Sequence, residues 1–130
     1  MGLFDFFGRK SETRPKEEKV LPWLRLTRVE QLDEIAEASK TIPVVIFKHS
    51  TTCGISRMVL RNFENDYAIE SGKIKLYYLD LHAFREVSNE VGYKFQVIHQ
   101  SPQVLVIKNG VAVYHASHHS IHATDLEKFI

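Results

Sequence analysis

The sequence has one cysteine, Cys53, and no long hydrophobic run. Because a single cysteine cannot form an internal disulfide, the sequence excludes a disulfide-stapled secreted domain and favours a reducing cytoplasm. The apolar runs are far shorter than the roughly 20 residues that a membrane-spanning helix needs. An excess of charge is also absent, since 17 basic and 16 acidic residues give a net charge of +1. We therefore expect no clustered basic surface and no nucleic-acid partner.

The composition is that of one globular domain preceded by a tail. Hydrophobic residues make up 44% of the 130 residues and charged residues 25%, which is too apolar for a disordered protein. Residues 1–20 combine a Phe-rich tip with a charged stretch from Arg9 to Lys19, and we interpret them as a flexible tail. Residues 21–130 carry the patterns of helices and strands and form the predicted domain.

Strand signals occur in five segments of this domain. They are Trp23–Leu26, Pro43–Phe47, Ile74–Leu81, Gln103–Ile107 and Val111–His115. The continuous β-branched run from Pro43 to Phe47 is typical of a central strand that is buried on both faces. Asn109-Gly110 between two apolar runs predicts a type I′ hairpin, a turn in which both central residues have positive φ. The last two strands are therefore predicted to be antiparallel neighbours.

Two of the predicted helices begin with a capping-box spacing. Thr27 is followed three residues later by Glu30, and Thr124 is followed in the same way by Glu127. In a capping box the hydroxyl accepts a hydrogen bond from a backbone N–H of the first turn, while the carboxylate reaches back to the cap residue. This spacing predicts helix starts at Thr27 and Thr124.

The longest predicted helix runs from Gly54 to Glu70 and ends at Gly72. Its apolar stripe consists of Ile55, Val59, Phe63 and Tyr67. A shorter helix contains Phe84, Val87 and Val91 and is closed by Gly92. The resulting order β-α-β-α-β-α-β-β-α predicts an α/β fold with a central mixed sheet flanked by helices.

Cys53 lies between the predicted central strand and the long helix, at or just before a helix N-terminus. Unpaired backbone N–H groups at that end favour negative charge, so they stabilise a thiolate. Ser56 is one helical turn further along, where its hydroxyl can donate a hydrogen bond to the sulfur. The preceding residues from Lys48 form a predicted polar loop, which argues against a thiol packed in the core. We therefore interpret Cys53 as a nucleophile that Ser56 supports.

The second informative feature is Ser101-Pro102 immediately before a strand. A proline at this position is a candidate for a cis peptide bond. Together with the strand–cysteine–helix unit and the hairpin that follows, it matches the thioredoxin fold. In that fold a cis-proline loop faces the cysteine and offers backbone groups to an extended substrate. We therefore expect Ser101 and Pro102 to bind substrate.

Three motifs make the resemblance more specific. They are the segments Phe47–Ser56, His99–Val104 and Ala116–His118, the last followed by Ile121. As a set they resemble the bacillithiol-system redox proteins of the YtxJ or monothiol bacilliredoxin family, over roughly residues 22 to 130. One departure is that Gly54 stands where the family typically has proline in Thr-Cys-Pro-Ile-Ser. Glycine loosens the first turn of the helix and frees one more backbone N–H toward the sulfur.

This resemblance implies a cytoplasmic, monomeric thiol–disulfide oxidoreductase that acts on mixed disulfides between protein cysteines and bacillithiol. Its partners would be bacillithiol, as co-substrate, and S-bacillithiolated proteins, with no other cofactor. It implies Cys53 and Ser56 as the catalytic pair. The implied substrate-binding residues are Lys48, Thr52, Gly54, Ser101, Pro102 and His118. Of these, Lys48 and His118 would bind the carboxylates of a malate-bearing thiol.

Two alternatives remain open from the sequence. Cys-Gly-Ile-Ser at residues 53–56, with Lys48 five residues earlier, resembles the Cys-Gly-Phe-Ser motif of monothiol glutaredoxins. Those proteins bind a [2Fe–2S] cluster between two subunits with glutathione, but their Trp-Pro and Gly-Gly-Cys-Asp motifs are missing from this chain. The other alternative is a non-enzymatic adaptor or redox sensor of thioredoxin fold that binds partners through the Phe-rich tail.

A histidine cluster near the C-terminus is the remaining candidate for a metal site. It consists of His115, His118, His119 and His122. Because no cysteine or carboxylate stands near it before Asp125, we interpret the cluster as solvated and expect no metal there. His49, next to the predicted active-site loop, is interpreted either as an active-site residue or as a partner of the backbone.

Overall fold

The computed structural model describes residues 20–130. The predicted flexible tail, apart from Val20, lies outside the described residues, so it stays a prediction. Within residues 20–130 no helix is both long enough and apolar enough to cross a lipid bilayer.

Within residues 20–130, five strands form one mixed sheet. They are β1 Leu24–Arg25, β2 Val44–His49, β3 Lys75–Asp80, β4 Gln103–Lys108 and β5 Val111–Ser117. Their order across the sheet is β1-β3-β2-β4-β5. The pairs β1–β3 and β3–β2 are parallel, whereas β2–β4 and β4–β5 are antiparallel. The predicted central mixed sheet with an antiparallel final pair of strands is therefore confirmed.

In the described part of the chain, three α-helices and two short 3₁₀ helices flank the sheet. The α-helices are α1 Gln31–Ala38, α2 Gly54–Asp66 and α3 Arg85–Phe95, and the 3₁₀ helices are His118–Ser120 and Ala123–Phe129. Val44 and Ile46 of β2 belong to the core that also contains buried residues of α1 and α3. Val45 and Phe47, which alternate with them, belong to the core shared with α2 and the C-terminal 3₁₀ helix. Every residue of β2 is buried, as expected for a central strand covered on both faces.

The two predicted capping boxes are wrong. At the start of α1, the side-chain oxygen of Gln31 accepts hydrogen bonds from the backbone N–H groups of Thr27 at 2.8 Å and Arg28 at 3.0 Å. The Gln31 amide group also donates to the carbonyl oxygen of Arg25 at 3.0 Å. The last segment is a 3₁₀ helix that follows His122 and has no side-chain cap. Gln31 thus accepts hydrogen bonds from backbone N–H groups before α1, a role that the predicted capping box assigned to Thr27 and Glu30.

The predicted end of α2 and part of its apolar stripe are also wrong. The helix ends at Asp66 because Tyr67 has extended backbone, and Gly72 lies in a later turn. Val59 and Phe63 are buried as predicted, but Ile55 is 49% exposed. Ile55 in the first turn of α2 therefore stands at the surface next to Cys53 rather than in the core.

Gly92 does not close α3, contrary to the prediction. It lies inside the helix, which continues to Phe95 and is capped by Gln96 in the left-handed conformation with φ 57°. A Cβ atom at position 92 would lie 3.1 Å from the carbonyl oxygen of Val97. The glycine therefore allows the segment after α3 to fold back closely against the helix.

The predicted type I′ hairpin is confirmed. Asn109 and Gly110 have φ values of 53° and 81°, so both central residues are left-handed. The turn is also held from outside, since Asn109 N–H donates to the Ser39 carbonyl at 2.8 Å and Gly110 N–H donates to the Ser39 hydroxyl at 2.8 Å. These contacts attach the hairpin tip to the end of α1.

We predict that Gly110→Ala lowers the free energy of unfolding by about 1 kcal/mol, because an L-residue with a Cβ resists positive φ. Asn109→Gly is the matched control, since asparagine already tolerates this region and the change should stay within a few tenths of a kcal/mol. Urea unfolding of the variants measures both effects. Equal stability of the Gly110→Ala variant and the unmodified chain would contradict the prediction.

Candidate functional site

Cys53 is the N-cap residue of α2. Its φ and ψ are −109° and 123°, its N–H donates to the Ser50 carbonyl at 3.2 Å, and its own carbonyl accepts from Arg57 N–H at 3.1 Å. The free thiol belongs to a residue of intermediate exposure. The unpaired N–H groups of the first turn favour an anion at this end of the helix. The predicted placement of the cysteine at a helix N-terminus is therefore confirmed.

Ser56 makes different contacts from those expected. The side chain is fully buried, and its hydroxyl oxygen accepts a hydrogen bond from Ser50 N–H at 3.0 Å. The same hydroxyl lies 2.8 Å from Nδ1 of His49. Among the hydrogen bonds of residues 20–130, none joins Ser56 to the sulfur of Cys53. The predicted bond to the thiol is therefore not formed, and Ser56 instead attaches the first turn of α2 to the end of β2.

His82, which the sequence analysis missed, holds the loop before Cys53 from the other side. Its Nε2 atom lies 2.8 Å from the Ser50 hydroxyl and 3.3 Å from the Thr52 hydroxyl. Because the Arg85 guanidinium can only donate, its 3.4 Å contact with Nδ1 favours the tautomer with hydrogen on Nε2. A signal was present in the order of elements, since parallel strands β2 and β3 end at the same edge and His82 lies two residues after the end of β3.

His49 is an active-site neighbour that is buried rather than exposed to ligand. Only 4% of its surface is accessible, and its ring lies 5.7 Å from that of Tyr78. Burial lowers the pKa of His49; the charge of Asp80 opposes part of this shift, and Arg57 adds a smaller lowering. The ring is therefore neutral at physiological pH and serves as a hydrogen-bonding partner of Ser56.

Lys48 belongs to β2 and not to the predicted loop. Its side chain is fully buried, and its ammonium group lies 2.8 Å from Nδ1 of His99. Burial lowers the pKa of Lys48 from 10.5 to about 8. None of the ion pairs within residues 20–130 involves this ammonium. Lys48 is thus a buried cation that is hydrogen-bonded to a neutral ring.

The Ser101–Pro102 peptide bond is cis, as predicted. Gln103 pairs with Lys48, which puts the proline beside the end of β2. The Pro102 carbonyl accepts a hydrogen bond from His118 N–H at 3.0 Å, and His118 itself is exposed with φ 56°. Within residues 20–130 the backbone groups of Ser101 make no hydrogen bond. The fold therefore brings Ser101, Pro102 and His118 to the edge of the sheet where β2 leads into the cysteine loop.

The remaining predicted binding residues, Thr52 and Gly54, flank Cys53 directly and are both exposed. A Cβ atom at Gly54 would meet only the side chain of Arg57, at 3.8 Å. The C-terminal histidines His115, His118, His119 and His122 are exposed as well. Residues 20–130 contain no group of three or more His, Cys, Asp or Glu side chains arranged to hold a metal ion.

Comparison with solved structures places the chain among proteins of thioredoxin fold, which confirms the predicted fold class. A protein assigned as an oxidoreductase with a thioredoxin fold is 28% identical, with a TM-score of 0.68 over 81% of this chain and 90% of that chain. The thioredoxin Mala s 13 of Malassezia sympodialis is 23% identical, with a TM-score of 0.61 over 81% and 84% of the two chains. Fasciola hepatica thioredoxin is 22% identical, with a TM-score of 0.60 over 82% and 94%.

The family comparison is more specific than the fold. The family described as "Monothiol bacilliredoxin BrxC" matches residues 24–126. The chain therefore belongs to the monothiol bacilliredoxin family, as its sequence motifs indicated.

We predict that Lys48→Met raises the free energy of unfolding at pH 7 by about 1–3 kcal/mol, because methionine fills the site without a buried charge. With a pKa of about 8 when folded and 10.5 when unfolded, Lys48 is protonated more in the unfolded chain between these values. Its destabilising contribution is therefore full below pH 8 and disappears as the pH rises towards 10.5. Urea unfolding of both proteins across this range should show their difference shrinking, and a constant difference would refute the assignment.

We predict that Ser56→Ala lowers the free energy of unfolding by about 1–3 kcal/mol, because it leaves the buried Ser50 N–H without its acceptor. Ser120→Ala, at an exposed serine of the first 3₁₀ helix, is the matched control and should stay within about 0.5 kcal/mol. Denaturant unfolding compares the two variants. Indistinguishable losses would mean that the Ser56 hydroxyl does not carry the connection between α2 and β2.

Proposed function

We propose that this protein reduces mixed disulfides between protein cysteines and bacillithiol, with Cys53 as the nucleophile. The observation that carries the proposal is the position of the only cysteine, half-buried at the N-cap of α2. Helix amides lie behind the sulfur, and the Ser101 backbone lies at the same edge of the sheet. Membership of the monothiol bacilliredoxin family supports bacillithiol as the small thiol, and the cytoplasm as the compartment.

In the first step the Cys53 thiolate attacks the bacillithiol sulfur of the mixed disulfide. A new bond forms between Cys53 Sγ and that sulfur, and the original disulfide bond breaks. The substrate protein leaves as a thiolate and takes a proton from solvent. The substrate cysteine is thereby reduced, while Cys53 is oxidised to a disulfide with bacillithiol.

The second step needs an external thiol because the chain has no other cysteine. A second bacillithiol thiolate attacks the bacillithiol sulfur bound to Cys53. This releases oxidised bacillithiol as a disulfide and returns Cys53 as a thiolate. The helix amides stabilise the sulfur anion both when it attacks and when it leaves.

In this proposal the other site residues position the loop that carries Cys53 or contact the substrate. Ser56 fixes the loop that carries Cys53 through its bonds to Ser50 and His49. Thr52 and Gly54 line the approach to the sulfur, and Ser101 offers its backbone N–H and carbonyl to an extended substrate. Pro102 shapes that loop, and His118 stands beside it for one of the two carboxylates of the malate-bearing thiol.

The protein part of the substrate would contact the exposed face of α2. Ile55 and Met58 are 49% and 43% exposed and lie on the first turns of the helix that Cys53 caps. Exposed apolar side chains next to a nucleophile suit a partner that presents its disulfide from an apolar surface. This surface also explains why Ile55 is not part of the core.

We predict that oxidised bacillithiol adds one bacillithiol to each chain and that dithiothreitol removes it. Intact-protein mass spectrometry measures the adduct, and release of a peptide from its bacillithiol mixed disulfide measures the reductase activity. Cys53→Ser should abolish both while keeping the fold. His115→Gln, at an exposed site on β5, is the control and should retain both.

Two outcomes would overturn this function. If Cys53→Ser retains partner binding and the unmodified chain reduces no bacillithiol disulfide, the adaptor or sensor interpretation takes its place. If anaerobic reconstitution with iron, sulfide and glutathione gives about one [2Fe–2S] cluster per two chains, the glutaredoxin interpretation replaces the proposed function. A [2Fe–2S] cluster takes four ligands, which two chains and two glutathione thiols would supply.

A further inference from the structure

A cleft lies on the other face of the sheet from α2, between α3 and the segment that follows it. Its volume is about 440 Å³. The lining residues are Ser88, Asn89, Gly92, Tyr93, Gln96, Val97, Ile98 and His99. None of these residues is acidic, so the wall offers donors and neutral groups but no carboxylate that would repel an anion.

The segment beside this cleft is held by two buried side chains of the sheet. Lys48 of β2 contacts Nδ1 of His99 at 2.8 Å, and the side-chain amide of Gln103 of β4 donates to the Ile98 carbonyl at 3.0 Å. Lys48 and Gln103 pair across β2 and β4, so both side chains lie on the same face of the sheet. The position of the wall is therefore set by buried polar contacts, and the same segment leads directly into Ser101–Pro102.

The polar atoms around the cleft have fewer partners than burial ordinarily requires. Ser88 is 1% exposed and lines the cleft, yet its hydroxyl has no hydrogen-bond partner within residues 20–130. The side-chain oxygen of Gln103 is likewise without a partner in this part of the chain. The Lys48 ammonium has three donors and makes a single hydrogen bond to a described residue. The Ser88 hydroxyl and the Lys48 ammonium can each still donate to an acceptor, whereas the Gln103 oxygen can only accept.

His99 links the buried cation to the cleft. Because the Lys48 ammonium can only donate, its contact fixes the lone pair of His99 on Nδ1 and the hydrogen on Nε2. Burial lowers the pKa of His99, and the charges of Lys48 and Arg85 lower it further. The neutral ring thus presents an N–H donor, with positive charge behind it. Hydrogen bonds to an ionised acceptor are the strongest that such donors can make.

We propose that this cleft binds the other carboxylate of the small thiol, with His99 and Ser88 as hydrogen-bond donors and Lys48 as the buried counter-charge. The inference rests on the proposed function, which supplies the thiol, and it names the part of the ligand that this surface recognises. It assigns to Lys48 an electrostatic role through His99 in place of direct contact with the ligand. The rest of the small thiol would run from this cleft along Ser101 towards Cys53.

The test uses Ser88→Ala, with Ser71→Ala at an exposed turn as the matched control. In the Cys53→Ser background, reduced bacillithiol is titrated into each protein by calorimetry, in parallel with bacillithiol esterified at its carboxylates. We expect Ser88→Ala to weaken binding of the free acid by about tenfold and to leave binding of the ester unchanged. The melting temperature of Ser88→Ala should rise by about 3 °C or more, because a buried hydroxyl without a partner is removed.

Unchanged affinity in Ser88→Ala, or equal binding of the acid and the ester, would overturn the proposal. A second arm measures turnover of bacillithiol mixed disulfides on peptides with and without glutamate. If Ser88→Ala slows only the glutamate-containing peptides, the carboxylate belongs to the protein substrate and the proposal is wrong. If binding depends on Ser88 but the protein with Cys53 intact reduces no bacillithiol disulfide, the assignment of the cleft stands and the proposed function is refuted.

Discussion

The buried polar end of β2 is the feature on which the site depends. Lys48, His49 and Ser50 continue the central strand with side chains that are almost inaccessible to solvent. Side chains of successive strand residues point to opposite faces, so Lys48 and His49 contact different elements. Lys48 contacts the segment before the cis-proline, and His49 contacts α2 through Ser56. One short stretch of backbone therefore positions both walls of the site relative to each other.

This arrangement lowers the free energy of unfolding of the chain. A fully buried ammonium without a carboxylate partner in the described residues, and a buried serine hydroxyl without an acceptor, both disfavour the folded state. An apolar side chain at either position would pack without that penalty. Groups of this kind are expected where recognition, not folding, determines the residue. Lys48 and Ser88 of α3 lie on the same side of the sheet, so one shared role in recognition would explain both unfavourable groups.

The sequence predicted those features that depend on neighbours in the chain. The Asn109-Gly110 turn, the buried strand before Cys53 and the helix after it are local patterns, and all three are confirmed. The contacts that the sequence did not reveal join distant residues. His82 reaches Ser50 across 32 positions and Lys48 reaches His99 across 51. Ser56 was assigned to Cys53 because it is one turn away, but its hydroxyl instead contacts Nδ1 of His49 and accepts a hydrogen bond from Ser50 N–H.

A monothiol site has to remain open after its first reaction, and the geometry around Cys53 suits that requirement. In the proposed reaction the adduct must stay accessible to a second thiol, because no other cysteine of the chain can resolve it. Thr51, Thr52 and Gly54 around the sulfur are exposed, whereas the residues that hold the loop are buried beneath it. The buried residues Ser50, Ser56 and His49 therefore hold the loop in place, while the exposed residues leave the sulfur accessible to solvent. An attacking thiol needs a sulfur that is fixed in position and accessible from solvent. Here the buried residues fix the sulfur, and the exposed residues leave it accessible.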